Sequence, residues 1–376
     1  MIPCQRDKFS IPEEIAYLNC AFTSPLLTTA AQDAARAIEK KREPWRYTAN
    51  DFFETTEQVR SLFAELIGCS AEQVAITPSA SYGVAVAAHN VTIERGRSIV
   101  LLDEQFPSNV YPWRRVAAGT GARIRKVVKQ GDDWTTPLLE TINDETAVVA
   151  VPQCHWTNGA AVDLKRVGAA CRNVGATLVV DATQSLGVAP FSVAEIQPDF
   201  LVTTAHKWLL GPYSYGFLYV APKWLDGRPL EENWLNRAGS EDFARLVDYT
   251  DSYRSGARRF DMGECSNFIL SPIALDALRQ ILDWGVSNIA ESLGTLTSTI
   301  AQKAKSLGLE APEEPFRAPH MIGLRFPREK AEELAARLRA DKVYVSVRGD
   351  SVRVSPHLYN NNNDIERLFH SLETVL

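Results

Sequence analysis

Residues 199–208 read Asp-Phe-Leu-Val-Thr-Thr-Ala-His-Lys-Trp, an apolar run that ends abruptly in polar side chains and delivers Lys207. A lysine at the end of a buried strand is suited to forming a Schiff base, because burial lowers its pKa and frees the neutral amine. A second apolar run, Val179-Val180-Asp181-Ala182-Thr183-Gln184, delivers the carboxylate of Asp181 in the same way. Taken singly, an aspartate at a strand end is a turn former and a lysine is a solvated cation. Taken together they form the pair that pyridoxal phosphate (PLP) uses: a Schiff-base lysine and an acidic partner for the pyridinium nitrogen.

Both runs belong to a series of strand-like stretches: 74–77, 98–102, 122–128, 147–151, the two above and 216–220. Helical patterns at 82–90, 136–142 and 164–174 separate several of them. Such alternation predicts right-handed crossovers and a mainly parallel sheet buried on both faces. Open sheets of this kind hold ligands beyond the C-terminal ends of their strands. Phe106, just past the run 98–102, falls there and is a flat partner for the face of a PLP ring. The helix start at Pro78-Ser79-Ala80-Ser81 exposes backbone N–H groups at the positive end of a helix dipole, a place for a phosphate. Ahead of the sheet lie helical patterns at 28–41 and 51–68, the second closed by Gly68. Behind it come an arginine-rich stretch at 221–265 and helices at 272–284 and 289–307. A strand at 321–326, a helix at 329–338, a hairpin of 343–348 with 351–355 around Gly349-Asp350, and a helix at 365–376 complete the expected order.

Asp181-Ala182-Thr183-Gln184, the run from Asp199 through Lys207 to Gly211-Pro212, and Gly216-Phe217-Leu218-Tyr219-Val220 resemble the class V aminotransferase family of fold-type I PLP enzymes. That family includes cysteine desulfurases, kynureninases and isopenicillin-N-epimerase-like proteins. The resemblance covers most of the chain. It implies an α/β fold of type I, with a large domain built on a seven-stranded, mainly parallel sheet between helices and a smaller α+β C-terminal domain. On that pattern 1–20 is an N-terminal segment, 21–265 the large PLP-binding domain and 266–376 the small domain.

The resemblance also implies roles. Lys207 holds PLP and, once freed by substrate, is the base at Cα. Asp181 keeps the pyridine nitrogen protonated, and Phe106 stacks on the ring. Gln184 hydrogen-bonds the ring O3′, and Gln153 touches O3′ or the substrate. Thr204, His206, Ala80 and Ser81 share the phosphate. Trp156 lines the pocket, whereas His155 reads as an exposed loop residue. Tyr17-Leu18-Asn19-Cys20-Ala21 resembles the family's entry loop, so Asn19 faces substrate. Arg353-Val354-Ser355-Pro356-His357-Leu358-Tyr359-Asn360 resembles the family's Arg-x-Ser-x-x-x-Tyr-Asn, whose arginine clamps an amino acid's α-carboxylate with a bidentate fork. A homodimer with its active site at the subunit interface is likewise implied, with the loop 254–264 crossing to the neighbouring subunit.

Composition sets outer bounds. The chain has 376 residues, 45% hydrophobic and 23% charged, which fits a globular protein of two lobes. A net charge of −6 with mixed signs offers no basic stripe for nucleic acid and no polybasic segment for a membrane. The N-terminus shows no apolar core of a secretory signal, and its six scattered cysteines include no Cys-x-x-Cys pair. The expectation is a cytoplasmic protein with reduced thiols, a small-molecule substrate and no metal site.

The reaction stays open at this stage. Removing a Cα proton permits transamination, racemisation or loss of a leaving group from Cβ. Dedicated cysteine desulfurases carry a nucleophilic cysteine shortly before the carboxylate-binding arginine. Residues 345–353 hold none, and the last cysteine is Cys265. The favoured reading is a PLP enzyme acting at Cα and Cβ of an amino acid, as a C–S or other Cβ lyase without a catalytic cysteine. An aminotransferase or epimerase is the alternative. A non-catalytic PLP-fold binding protein is a further one, against which the intact Asp181–Lys207 pair argues.

Overall fold

The computed structural model describes residues 1–348 and 350–376, so the expected turn at Gly349 lies outside the described residues. The chain begins with strand β1 (Ala16–Tyr17) and helices α1 (Thr28–Arg42) and α2 (Glu54–Ile67). The sheet region follows as β2 (Val74–Thr77), α3 (Ala80–Asn90), β3 (Ser98–Leu102), α4 (Tyr111–Thr120), β4 (Arg123–Val127) and α5 (Thr135–Thr141). It continues through β5 (Thr146–Pro152), α6 (Leu164–Val174), β6 (Thr177–Asp181), α7 (Val193–Ile196), β7 (Phe200–Thr204) and β8 (Gly216–Val220). The last third holds α8 (Leu270–Trp284), α9 (Val286–Ser306), β9 (Ile322–Arg325), α10 (Ala331–Ala340), β10 (Val343–Tyr344), β11 (Ser346–Arg348), β12 (Ser351–Val354) and α11 (Asn362–Val375).

Seven strands form one sheet in the order β2-β8-β7-β6-β5-β3-β4. β8 is antiparallel to both its neighbours, and the other pairings are parallel. Alternate residues serve opposite faces. Val100, Val149, Val180, Leu201 and Phe217 pack into the core shared with Phe63 of α2, Val167 of α6 and Leu278 of α8. Ile99, Val148, Val179, Val202 and Leu218 pack beneath Val84 of α3 and Trp113 of α4. Both faces are covered, which is why these strands read as continuous apolar runs. The edge strand β4 instead exposes Arg123 and Lys126, charges that discourage further pairing.

The expected strand at 343–348 is two strands, for a reason outside its own sequence. β10 pairs in parallel with β1, Ala16 opposite Val343. β11, β12 and β9 form a separate antiparallel sheet. Ala16 and Leu18 join Leu324, Val352, Ile365 and Leu368 in a third core. The N-terminal segment is laced further to the end of β12, with the Cys20 N–H donating to Ser355 at 3.0 Å and the Ser355 N–H to Leu18 at 2.8 Å. Residues from opposite ends of the sequence are thereby brought to one place.

The stretch 221–265 consists mostly of short turns pinned by ions. Arg60, wholly buried, donates through both guanidinium nitrogens to Asp261, at 2.8 and 3.1 Å. The arginines of 254–264 are engaged within their own chain. Arg254 pairs with Glu57 and Glu241, Arg258 with Glu57 and Glu72, and Arg259 with Asp226. Among the described residues no helix is long and apolar enough to cross a membrane.

Candidate active site

The C-terminal ends of four strands converge. β3 is followed by Gln105 and Phe106, β5 ends in Pro152 and is followed by Cys154 and Trp156, β6 ends in Asp181, and β7 leads to Lys207. With Thr183 and Gln184 these side chains line one cavity. A wider groove beside α2, lined by Phe53, Glu57, Ser61 and Arg279, is open to solvent and holds no lysine. Turns around the cavity contain non-glycine residues in the left-handed region, Glu104 at φ 51° and Leu210 at φ 53°. Gly159 closes the loop after β5 at φ 78°, where a Cβ would overlap the Met321 carbonyl.

Lys207 is half-buried, and its Nζ stands 5.5 Å from the centre of the Phe106 ring. Burial lowers its pKa to about 8; Asp181 opposes the shift and Arg353 adds to it. The neutral amine therefore becomes abundant close to physiological pH. Amine-selective labelling of Lys207 in the cofactor-free protein, followed by mass spectrometry, is expected to rise with an apparent midpoint near pH 8, well below that of surface lysines. A midpoint above pH 10 would contradict the site's electrostatics.

Asp181 is buried, and its Oδ1 accepts the Thr183 N–H at 3.0 Å. Burial raises its pKa, while Thr183 and Lys207 pull it down. No ion pair within the chain occupies it among the described residues. Its carboxylate is thus costly to keep ionised until a cationic partner arrives.

The start of α3 lies beyond the strand ends. Ser79 caps it, accepting the Tyr82 N–H at 3.1 Å and standing 2.8 Å from the Ser81 hydroxyl. Ala80 and Ser81 contribute the first helical N–H groups. The helix then runs over β7, where Gly83 has no room for a Cβ beside Val202. Thr204 Oγ1, at the end of β7, is buried without a hydrogen-bond partner. The ring of His206 lies against Tyr213 at 4.6 Å. Burial, reinforced by Lys207, brings that imidazole down to about 4, so it is neutral near physiological pH.

Arg353 is 2% exposed, yet meets no carboxylate among the described residues. Its Nη1 donates to the Trp156 carbonyl at 2.7 Å and its Nη2 to Ser346 Oγ at 3.3 Å, while Nε is buried and unpartnered. Burial lowers its pKa to about 10, and Arg348 adds to the effect. Ser346 stands directly opposite Arg353 in the β11–β12 ladder. The Ser346 hydroxyl also donates to Asn19 Oδ1 at 2.8 Å, so Asn19 joins the same cluster.

Some expected positions differ. Gln153 is not brought to the cavity: strand parity points Pro152 and Cys154 inward, and the Gln153 amide donates to the Pro190 carbonyl at 2.9 Å. Gln184 lines the cavity with both ends of its amide hydrogen-bonded, and its Nε2 carries a second proton. Its Oε1 accepts from Trp208 at 2.8 Å and its Nε2 donates to the Ala21 carbonyl at 3.1 Å. His155 is buried rather than exposed, stacked on Trp134 and bonded to Asp103 and Thr157. Cavity residues the sequence did not single out are Gln105, Pro152, Cys154 and Thr183. Ser79, the residue before a helix start, carried the one local signal, that of a cap.

Residues 41–368 match the family model described as Aminotransferase class-V. An uncharacterized aminotransferase of Bacillus subtilis, YcbU, is 31% identical over 353 residues, covering 92% of this chain and 90% of that one. Kynureninase of Deinococcus radiodurans is 26% identical over 328 residues, covering 82% of this chain and 76% of its own. Among solved structures, a C-DES mutant with glycine covalently linked to its PLP cofactor has the same fold. Its TM-score is 0.89 at 18% identity, covering 99% of this chain and 100% of that one.

Proposed function

The chain belongs to the aminotransferase class-V family of PLP enzymes, and from that premise we propose that it expels a leaving group from Cβ of an amino acid, without a nucleophilic thiol. The cavity fits the cofactor. Among the described residues Asp181 is a buried carboxylate with no ion-pair partner, and Thr204 Oγ1 and Thr183 Oγ1 are buried and unpartnered. Bound there, PLP supplies a carbonyl carbon that an amine can attack and a ring that withdraws electrons from Cα.

The protein's own groups do the rest in this reading. Lys207 would hold the cofactor through Nζ, and Phe106, 5.5 Å from that atom, would offer its ring a flat partner. Asp181 retains a proton at the ring nitrogen. Ser81, the N–H groups opening α3, Thr204 and His206 take the phosphate, and an anion there raises the affinity of His206 for a proton. Arg353 grips the α-carboxylate, steadied by Ser346 and Asn19. The gripped substrate presents its Cα to Nζ of Lys207, which removes the proton as its neutral amine. Gln184 acts at one remove, holding Trp208 and so the turn that carries Lys207. Gln153 has no part.

The thiol inventory argues against a persulfide-forming desulfurase and is compatible with elimination. Cys154 lines the cavity, but burial pushes its thiol up to about 12, so it stays protonated. The residues linking β11 to β12 contain no cysteine. Similarity to the Bacillus aminotransferase favours transamination as the second reading. The two separate in a screen of amino acids with holoenzyme and no added 2-oxo acid. Elimination releases ammonia and a 2-oxo acid under those conditions. Turnover that requires an added 2-oxo acid acceptor would overturn elimination in favour of transamination. We further propose a cytoplasmic homodimer with the site at its interface; all six cysteines are unpaired, in keeping with a reducing compartment.

A further inference from the structure

Resting on the amino-acid reading above, we propose that Arg348 is a second anion site of this cavity and that the substrate's side chain carries an anionic group, a carboxylate or a sulfur oxyanion. Residues two apart on a strand share a face, so Arg348 lies on the same face of β11 as Ser346. Ser346 is opposite Arg353, which puts both arginines on one face of the hairpin. Trp156 connects them. Its carbonyl accepts from Arg353 at 2.7 Å, and the Arg348 guanidinium lies 6.0 Å from the centre of its ring. The same indole lines the cavity and meets Phe106 edge to face at 5.5 Å, and Lys207 stands over Phe106. Arg348, Trp156, Phe106 and Lys207 thus form one chain of neighbours, the last three of which line the cavity and the first of which stands beside it.

The charges there do not balance. Asp181 acts on Lys207, and neither Arg353 nor Arg348 has an ion-pair partner among the described residues. Arg348 donates to the Val347 carbonyl at 2.9 Å and meets no carboxylate among the described residues. Arg325, on β9 of the same sheet, is by contrast paired with both Glu310 and Asp350. The positive charge of Arg348 is felt at both Lys207 and Arg353, whose pKa values it helps to lower. An α-carboxylate satisfies Arg353 and leaves Arg348 unmatched. A guanidinium held against an indole is weakly hydrated and keeps its planar fork available, the form in which arginine selects oxyanions.

The test is a titration of holoenzyme, followed through the absorbance of the bound cofactor, with L-aspartate against L-asparagine, L-glutamate against L-glutamine, and L-cysteine sulfinate against L-cysteine. The acidic member of at least one pair is expected to bind about tenfold to a hundredfold more tightly, the range for one hydrogen bond to a charged group. Arg348→Met should erase that preference by weakening the acidic member, and Arg348→Lys should restore part of it. Arg353→Gln should weaken both members of the pair. Equal or tighter binding of the neutral member in every pair, or equal weakening of both members in Arg348→Met, overturns the assignment. A product assay with S-sulfo-L-cysteine, whose Cβ substituent leaves as thiosulfate with its electron pair, keeps the two readings apart. Acid-selective binding with no ammonia and pyruvate released from that compound sinks elimination and leaves the Arg348 site standing.

Discussion

Lys207→Ala is expected to lower turnover by about 1,000-fold or more, because the substitution removes the covalent anchor and the proton acceptor together. The backbone should not move. The side chain is half-buried, its Nζ has no ion pair among the described residues, and burial with neighbouring Arg353 disfavours its charged form. Removing it relieves like-charge repulsion, so the loss should be chemical rather than structural. Borohydride reduction followed by peptide mapping reads the anchor directly. Wild type should carry reduced cofactor on the peptide containing Lys207, and the variant should carry none on any lysine. Turnover near the wild-type level in Lys207→Ala, or a reduced cofactor found elsewhere in wild type, would remove the basis of the proposed chemistry.

The residues legible in the sequence share a physical feature. Lys207 and Asp181 sit at the ends of strands buried on both faces, so each is a polar break in an apolar run. The same burial made β3, at 98–102, readable to the residue. What stayed hidden depends on partners far away in the chain. β5 is apolar on both faces, so its sequence does not say whether Pro152 and Cys154 or Gln153 faces the cavity; the parity belongs to the sheet. His155 is buried because Trp134 stacks on it, and Gln184 is occupied because Trp208 and Ala21 reach it. The strand expected at 343–348 divides because Val343 and Tyr344 pair with Ala16 and Tyr17 near the other end of the chain. The start of α3 came two residues earlier than the apolar pattern implied, since a serine cap rather than hydrophobic periodicity sets a helix's first turn. Arg353 stood out through a local motif, but its isolation from any carboxylate is a property of the folded chain.

That isolation gives Arg353 an effect of opposite sign on binding and on stability. Truncating one member of a buried charge pair costs about 2–5 kcal/mol, so Arg353→Met should weaken amino-acid binding by roughly 30-fold to several thousand-fold. Retention of the cofactor, measured by dialysis, should change by less than about threefold, since the other groups assigned to it remain. Without ligand, the wild-type guanidinium is desolvated and faces Arg348 rather than an anion, which is why its pKa falls to about 10. Replacing an uncompensated buried cation with an apolar side chain of similar length is often neutral or stabilising. The thermal midpoint of ligand-free Arg353→Met is therefore expected to equal or exceed that of wild type. Equal losses of cofactor and amino acid would count against a carboxylate clamp. A lower midpoint would mean that the hydrogen bonds to Trp156 and Ser346 outweigh the desolvation of the guanidinium, and the burial of Arg353 would then report how the β11–β12 hairpin is fastened rather than what the cavity receives.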